Sequence, residues 1–222
     1  MKQHQFAFSI AWIAALLVAT PAMGQLFNFP VLAVAPGGAD GSYTIGGGWA
    51  RGLNDNSQKL NGFGVGIARN QEKVSFTLAT GYVTELLPDV DEFTLAANAG
   101  LHLLESDSPA QVTLQVGIGW MQIDGTPDGT TLLQFPLGVA LQTNNDGPAR
   151  FWVMPRLNIF RQSTGGISDD TEYKFGTSLG GSYAAESGVG VGVALDWQMK
   201  DDGLGGNSSA IGFSIGLFYA MQ

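Results

Sequence analysis

Apolar residues alternate with small or polar ones along most of this chain, with a period of two. The clearest stretch is Gly188–Met199, GVGVGVALDWQM. One register reads Val189, Val191, Val193, Leu195, Trp197, Met199. The other reads Gly190, Gly192, Ala194, Asp196, Gln198. Successive side chains of a strand point to opposite faces, so this stretch has one apolar face and one small or polar face. A soluble antiparallel sheet alternates too, but its second face carries ordinary polar residues for water. Here glycines crowd the second face and an aromatic marks the end of the first. That pattern fits a strand with lipid outside it and a narrow interior behind it.

Ten segments from Ser42 onward repeat this theme. Their expected outward registers run Tyr43–Trp49, Phe63–Ile67, Val74–Tyr82, Phe93–Leu103, Val112–Trp120, Leu133–Leu141, Phe151–Ile159, Tyr173–Tyr183, Val189–Met199 and Ile211–Met221. All but the first two run 9 or 11 residues, about the length of a tilted membrane strand. The connectors alternate as well. Asn54–Asn61, Glu85–Glu92, Ile123–Thr130, Gln162–Asp170 and Lys200–Ala210 form a longer, acidic or glycine-rich set, expected outside. The connectors between them are mostly shorter and are expected on the periplasmic side. With that topology Trp49, Tyr82, Phe93, Trp120, Tyr173 and Trp197 form an outer girdle, and Tyr43, Phe151, Tyr183 and Tyr219 an inner one. The predicted fold is all-β: an up-and-down antiparallel transmembrane β-barrel of about ten strands.

The N-terminus adds targeting. Lys2 precedes an apolar core, Phe6–Thr20, which is short for a membrane span. Pro21 and the small-x-small triplet Ala22-Met23-Gly24 follow. Residues 1–24 read as a signal peptide cleaved before Gln25, residues 25–41 as a periplasmic lead-in, and residues 42–222 as the barrel domain. A second option for Leu26–Ala35 is to fold inward. After Gln25 no apolar run approaches the roughly 20 residues of a membrane helix. Cysteine is absent and the net charge is −9, which excludes a lipoprotein anchor and argues against nucleic acid as a partner.

The chain resembles the small bacterial outer-membrane β-barrel proteins of the broad OmpA/OmpX/OmpW-like type, from Ser42 to Gln222. The resemblance implies a Gram-negative outer membrane, with outer-membrane lipid and the barrel-assembly machinery as partners. In that group an aromatic at the end of the last strand guides assembly. Here the chain ends Tyr219-Ala220-Met221-Gln222, with Tyr219 the nearest substitute.

Glycine and alanine dominate the inward register, so the interior either curves tightly around bulky neighbours or holds a guest. The bulky or charged inward candidates are His102, Trp152, Arg156, Phe160, Glu172, Lys174 and Asp196. Hairpin registers bring Arg156, Lys174 and Asp196 to similar depth on neighbouring strands. They are expected to form a lumen charge cluster, either a structural latch or a selective constriction. Pro136 and Pro155 interrupt two strands, where proline belongs at edges or bulges. Hairpin symmetry about Asp146 sets them nearly opposite each other, as a paired bulge or a lateral opening. No catalytic constellation, cofactor motif or metal-spaced histidine cluster is apparent, and His102 has no serine–acid partner by spacing. The chain therefore reads as a non-enzyme: a structural or narrow porin-like pore for small solutes. The alternative is a barrel that binds an apolar ligand and releases it sideways near Pro136 and Pro155. The outer acidic residues, among them Asp55, Glu85, Asp91, Glu92, Asp124, Asp128, Asp169, Asp170 and Asp201, are candidates for Mg²⁺ or Ca²⁺ bridging. A soluble periplasmic barrel is the structural rival.

Overall fold

A computed structural model describes residues 25–26, 29–30, 41–54, 61–84, 91–103, 108, 110–123, 130–143, 147–164, 167–201 and 207–221. Two short strands, β1 (Gln25–Leu26) and β2 (Phe29–Pro30), pair with each other. Ten longer strands follow: β3 (Tyr43–Gly52), β4 (Asn61–Asn70), β5 (Val74–Thr84), β6 (Asp91–His102), β7 (Ala110–Ile123), β8 (Thr130–Thr143), β9 (Ala149–Thr164), β10 (Ile167–Ala184), β11 (Val189–Asp201) and β12 (Asn207–Met221). Each of these pairs antiparallel with the next, and β12 pairs with β3, so the sheet closes into a barrel. Closure matters because in hydrocarbon every backbone N–H and C=O must be satisfied within the protein, and a closed sheet has no edge.

Burial along the strands is inverted relative to a soluble protein. On β11, Val189, Val191, Val193 and Leu195 are exposed, while Ala194, Asp196 and Gln198 on the other register are buried. Val193 is 42% exposed and Asp196 only 1%. The same holds around the wall, with Phe63, Leu78, Leu101, Leu137 and Phe151 facing out and Thr77, Thr94, Gln115, Gln142 and Ser178 facing in. So continuous an apolar exterior far exceeds the patches of a few hundred Å² that soluble monomers carry. Hydrocarbon is the environment that suits it. The molecule is a membrane-spanning β-barrel of the outer-membrane type.

The expected outer girdle is continuous from Trp49 to Trp120, whereas Tyr173 and Trp197 have no aromatic partner across the strands among the described residues. Trp49 pairs with Phe63, Phe63 with Tyr82, and Tyr82 with Phe93 across four successive strands. Phe93 then meets Trp120 edge-on, with ring centroids 6.4 Å apart. At the opposite end the Arg69 guanidinium lies 5.1 Å from the Tyr43 ring centroid, a cation–π contact at the barrel rim. At the same end Gly188 turns β10 into β11 with φ +85, and a side chain there would meet the Ala220 carbonyl oxygen at 2.4 Å.

Three features depart from the sequence reading. First, β9 and β10 are the longest strands, 16 and 18 residues, and only residues 165–166 separate them. Gln162–Asp170, expected as a loop, is mostly strand. Apart from Ile167 and two glycines its residues are polar, and it lacks the apolar alternation that marks a lipid-facing segment, so the pattern does not reveal its extension. Second, Asp91, Glu92, Asp169, Asp170 and Asp201 lie in strands rather than loops. Glu92 faces inward and is 3% exposed. Third, β1 runs close to β3, β11 and β12, and β2 to β5, β6 and β7. Residues 1–24, and Asp55, Glu85, Asp124 and Asp128 of the expected cation-bridging set, lie outside the described residues.

Candidate functional site in the barrel lumen

The inward side chains of β7 to β12 stack in tiers along the bore. Alternate residues of β9 mark the tiers: Trp152, Met154, Arg156, Asn158, Phe160. Each inward side chain lies two residues, roughly 6.6 Å of strand rise, beyond the last.

At one level Trp152 and Met154 pack with Ala140 and Ala194 in an apolar cluster. Trp152 can lie flat against the wall because β10 has no side chain at Gly180. A methyl group there would stand 2.4 Å from the indole. Gly190 plays the same part for Phe218, whose ring lies 2.2 Å from where a side chain would begin. At these two positions the glycines make room for bulky neighbours, not for a guest. Gly180→Ala is accordingly expected to destabilise the barrel by about 1–3 kcal/mol through overpacking. A lower unfolding midpoint in urea with lipid vesicles checks this; an unchanged midpoint would mean that both Trp152 and the β11 backbone at Val193, whose carbonyl oxygen would lie 2.6 Å away, give way.

The next tier is charged. Arg156 Nη1 lies 3.0 Å from Asp196 Oδ1, and both side chains are essentially excluded from solvent. Ser178 joins them: its hydroxyl accepts from Arg156 Nη1 and donates to Asp196 Oδ1. The backbone register explains the reach. Ser178 is the direct cross-strand partner of Asp196, whereas Arg156 stands opposite Gly176. Arg156 therefore crosses β10 over a residue with no side chain. Above this tier an amide relay runs from Gln134 Nε2 to Asn158 Oδ1 at 3.0 Å, and from Asn158 Nδ2 to Gln198 Oε1 at 3.3 Å. Arg156 Nε and Nη2, Asp196 Oδ2 and Gln198 Nε2 have no hydrogen-bond partner among the described residues. A second apolar cluster, Met121 with Phe160 and Leu132, closes the stack.

Two members of the expected charge cluster meet and the third does not. Lys174 pairs with Asn158 in the β9–β10 register, one tier beyond Arg156. Its ammonium group pairs with Glu172 and lies 5.1 Å from the Phe160 ring centroid. That position is partly exposed, so Lys174 belongs to the polar end of the bore and not to the buried pair. Sequence reasoning placed Gln198 on the inward register but missed Ser178, Asn158, Gln134, Met121, Met154 and Phe218. All of them share the inward parity of their strands. Phe218 is visible as the one aromatic on the small-residue register of Ile211–Met221.

The two prolines are not opposite each other. Pro136 pairs with Asn158 and is buried, whereas Pro155 points to the lipid side and is exposed. Each interrupts a different ladder. Between β7 and β8 the pairing stops after Val116–Leu137 and resumes at Gly119–Gln134. Between β8 and β9 it stops after Gly138–Arg156 and resumes at Leu141–Val153. Proline carries no N–H to donate, so each removes a rung on one side of its strand. The combined effect falls on β8, which is loosened toward both neighbours at nearby levels.

His102, at the end of β6, shares a hydrogen bond of 2.9 Å between its Nδ1 and Thr113 Oγ1. Among the described residues no group of three or more His, Asp or Glu gathers as a metal site would require.

No family model matches the sequence, and no characterised protein matches it in a sequence comparison. Solved structures of similar shape include Neisserial surface protein A, at 17% identity and a TM-score of 0.40, over 82% of this chain and 99% of that one. The N-terminal β-barrel domain of Pseudomonas aeruginosa OprF is similar at 13% identity and a TM-score of 0.39, over 81% and 98%. The outer-membrane enzyme PagL is similar at 13% identity and a TM-score of 0.38, over 79% and 98%. At that level of likeness none of these proteins lends its activity to this chain.

Proposed function

We propose that this protein is an exported, non-enzymatic outer-membrane barrel of a Gram-negative cell. Its lumen is narrowed to near closure by its own side chains, so that it serves as a structural element or passes only very small solutes. In this reading the leader of residues 1–24 is cleaved before Gln25. The barrel-assembly machinery inserts the chain, and outer-membrane lipid covers the apolar wall. The observation that carries it is the Arg156–Ser178–Asp196 tier, 1–3% exposed and lying between two apolar clusters. A general porin keeps a water-filled channel, whereas charges this dry sit in a filled tube. The hydrogen-bonding capacity left at Arg156, Asp196 and Gln198 suits water or a small polar solute at the tier. His102 supports a non-catalytic role, since its described hydrogen bond goes to a threonine and not to a serine–acid pair.

A second reading is favoured by the loosened β8: an apolar ligand held in the barrel and released sideways past Pro136 and Pro155. One preparation separates the two. The purified protein is reconstituted in planar bilayers, and its organic extract is analysed by mass spectrometry. The closed-barrel reading expects conductance far below that of an open porin and no stoichiometric apolar ligand. Steady porin-like conductance would overturn it. A stoichiometric lipid that is lost in Pro155→Val would establish the second reading.

A further inference from the structure

We propose that the paired strands β1 and β2 form an internal plug that closes the part of the bore the side-chain tiers leave open. The proposal rests on the closed-lumen reading and adds a second, separable closure to it. Around the ring, β11, β12 and β3 form one arc, and β5, β6 and β7 lie across from it. β1 comes within 8 Å, Cα to Cα, of the first arc and β2 within 8 Å of the second. β1 and β2 are paired, Gln25 with Pro30 and Leu26 with Phe29, so they form one ribbon about 4.8 Å wide. A ribbon lying on the outer wall reaches one arc at most. Only a ribbon that crosses the bore or its mouth reaches both.

Burial on these arcs points the same way independently. Thr44 on β3, Thr77 and Ala79 on β5, and Ala96 on β6 face inward with short side chains, yet are only 1–8% exposed. The long side chains of the tiers stand on β7, β8, β9 and β11, with Phe218 against Gly190. On β4, Gly64 has only backbone near the position of its missing side chain. Along β3, β4 and β5, and at Thr94 and Ala96 of β6, the inner wall is therefore a shallow surface of mostly small residues that leaves width for an extra ribbon. The glycine-rich inner register then has two uses: space for Trp152 and Phe218 near one side, and space for the chain's own N-terminal segment near the other. β1 and β2, which open the segment expected to be a periplasmic lead-in, are thereby assigned to the bore.

The test uses the full chain in outer membranes. A photo-activatable benzoylphenylalanine in place of Leu26 is expected to attach to peptides of β3, β11 or β12. The same residue in place of Phe29 is expected to attach to β5, β6 or β7. Attachment only to other proteins, or none at all from either position, overturns the plug. Deleting residues 25–38 is expected to raise single-channel conductance several-fold in barrels that keep heat-modifiable gel mobility. Unchanged conductance in such barrels overturns it too, and if the deletion fails to assemble, the cross-links alone decide. Arg156 and Asp196 are intact in every variant. Failure of the closed-lumen reading would instead appear as conductance in the parent protein, before any deletion.

Discussion

Asp196→Ala is expected to destabilise the barrel by about 3–5 kcal/mol, because it leaves the Arg156 guanidinium buried without its counter-charge. Both side chains are almost wholly excluded from solvent, and the pair is joined by Ser178. A surface pair would be worth well under 1 kcal/mol, so the magnitude separates a dry lumen from a wet one. Removing both charges is a different experiment. Replacing a buried pair by apolar residues of similar volume is often neutral or stabilising. Arg156→Met with Asp196→Ala is therefore expected to recover most of the loss. The unfolding midpoint in urea, measured on protein folded into lipid vesicles, checks both variants. The single variant is also expected to show higher and noisier conductance than the parent, as the orphaned cation draws water and anions into the tier. An unchanged midpoint together with unchanged conductance for Asp196→Ala would remove the closed-lumen account of this protein.

The same strand shows what the sequence made legible and what it hid. The parity of Val189–Met199 assigns each residue of that stretch to a face, and with it the burial of Asp196. A shift of one residue would have turned every side chain to the wrong side. Strand number and antiparallel order followed from the same alternation repeated ten times. Register between strands did not, because it depends on turn geometry that alternation leaves open. Simple hairpin symmetry therefore groups Lys174 with Arg156, whereas the ladder sets it one tier away beside Asn158. It also sets Pro136 and Pro155 opposite each other, although they break different ladders on opposite faces. The extension of β9 and β10 was hidden for another reason. Beyond the bilayer neither face needs to be apolar, so a strand there carries no periodic signature. Glu92 was misplaced by the converse error: an acidic residue beside a loop reads as solvated, yet the strand continues through it and turns it inward.

Val193→Arg is expected to destabilise the folded barrel by about 2–4 kcal/mol, the cost of a cation on the lipid face near the bilayer midplane. Val193 faces outward between Gly181 and Ile215, near the middle of β11, and is 42% exposed. In a soluble barrel a residue so exposed would accept arginine within about 0.5 kcal/mol, since surface substitutions rarely cost more. The two environments thus predict different results for one substitution at one position. A depth series sharpens the contrast. Arginine at Val189, near the turn at Gly188, is expected to cost only about 0–1 kcal/mol, because its side chain reaches the polar interface. The unfolding free energies of the three proteins in vesicles give the profile. A flat profile would mean that water, not hydrocarbon, covers the valine face. A peak at Val193 ties the alternation of the sequence to the bilayer, since no soluble environment penalises an exposed arginine according to its distance from a strand's midpoint.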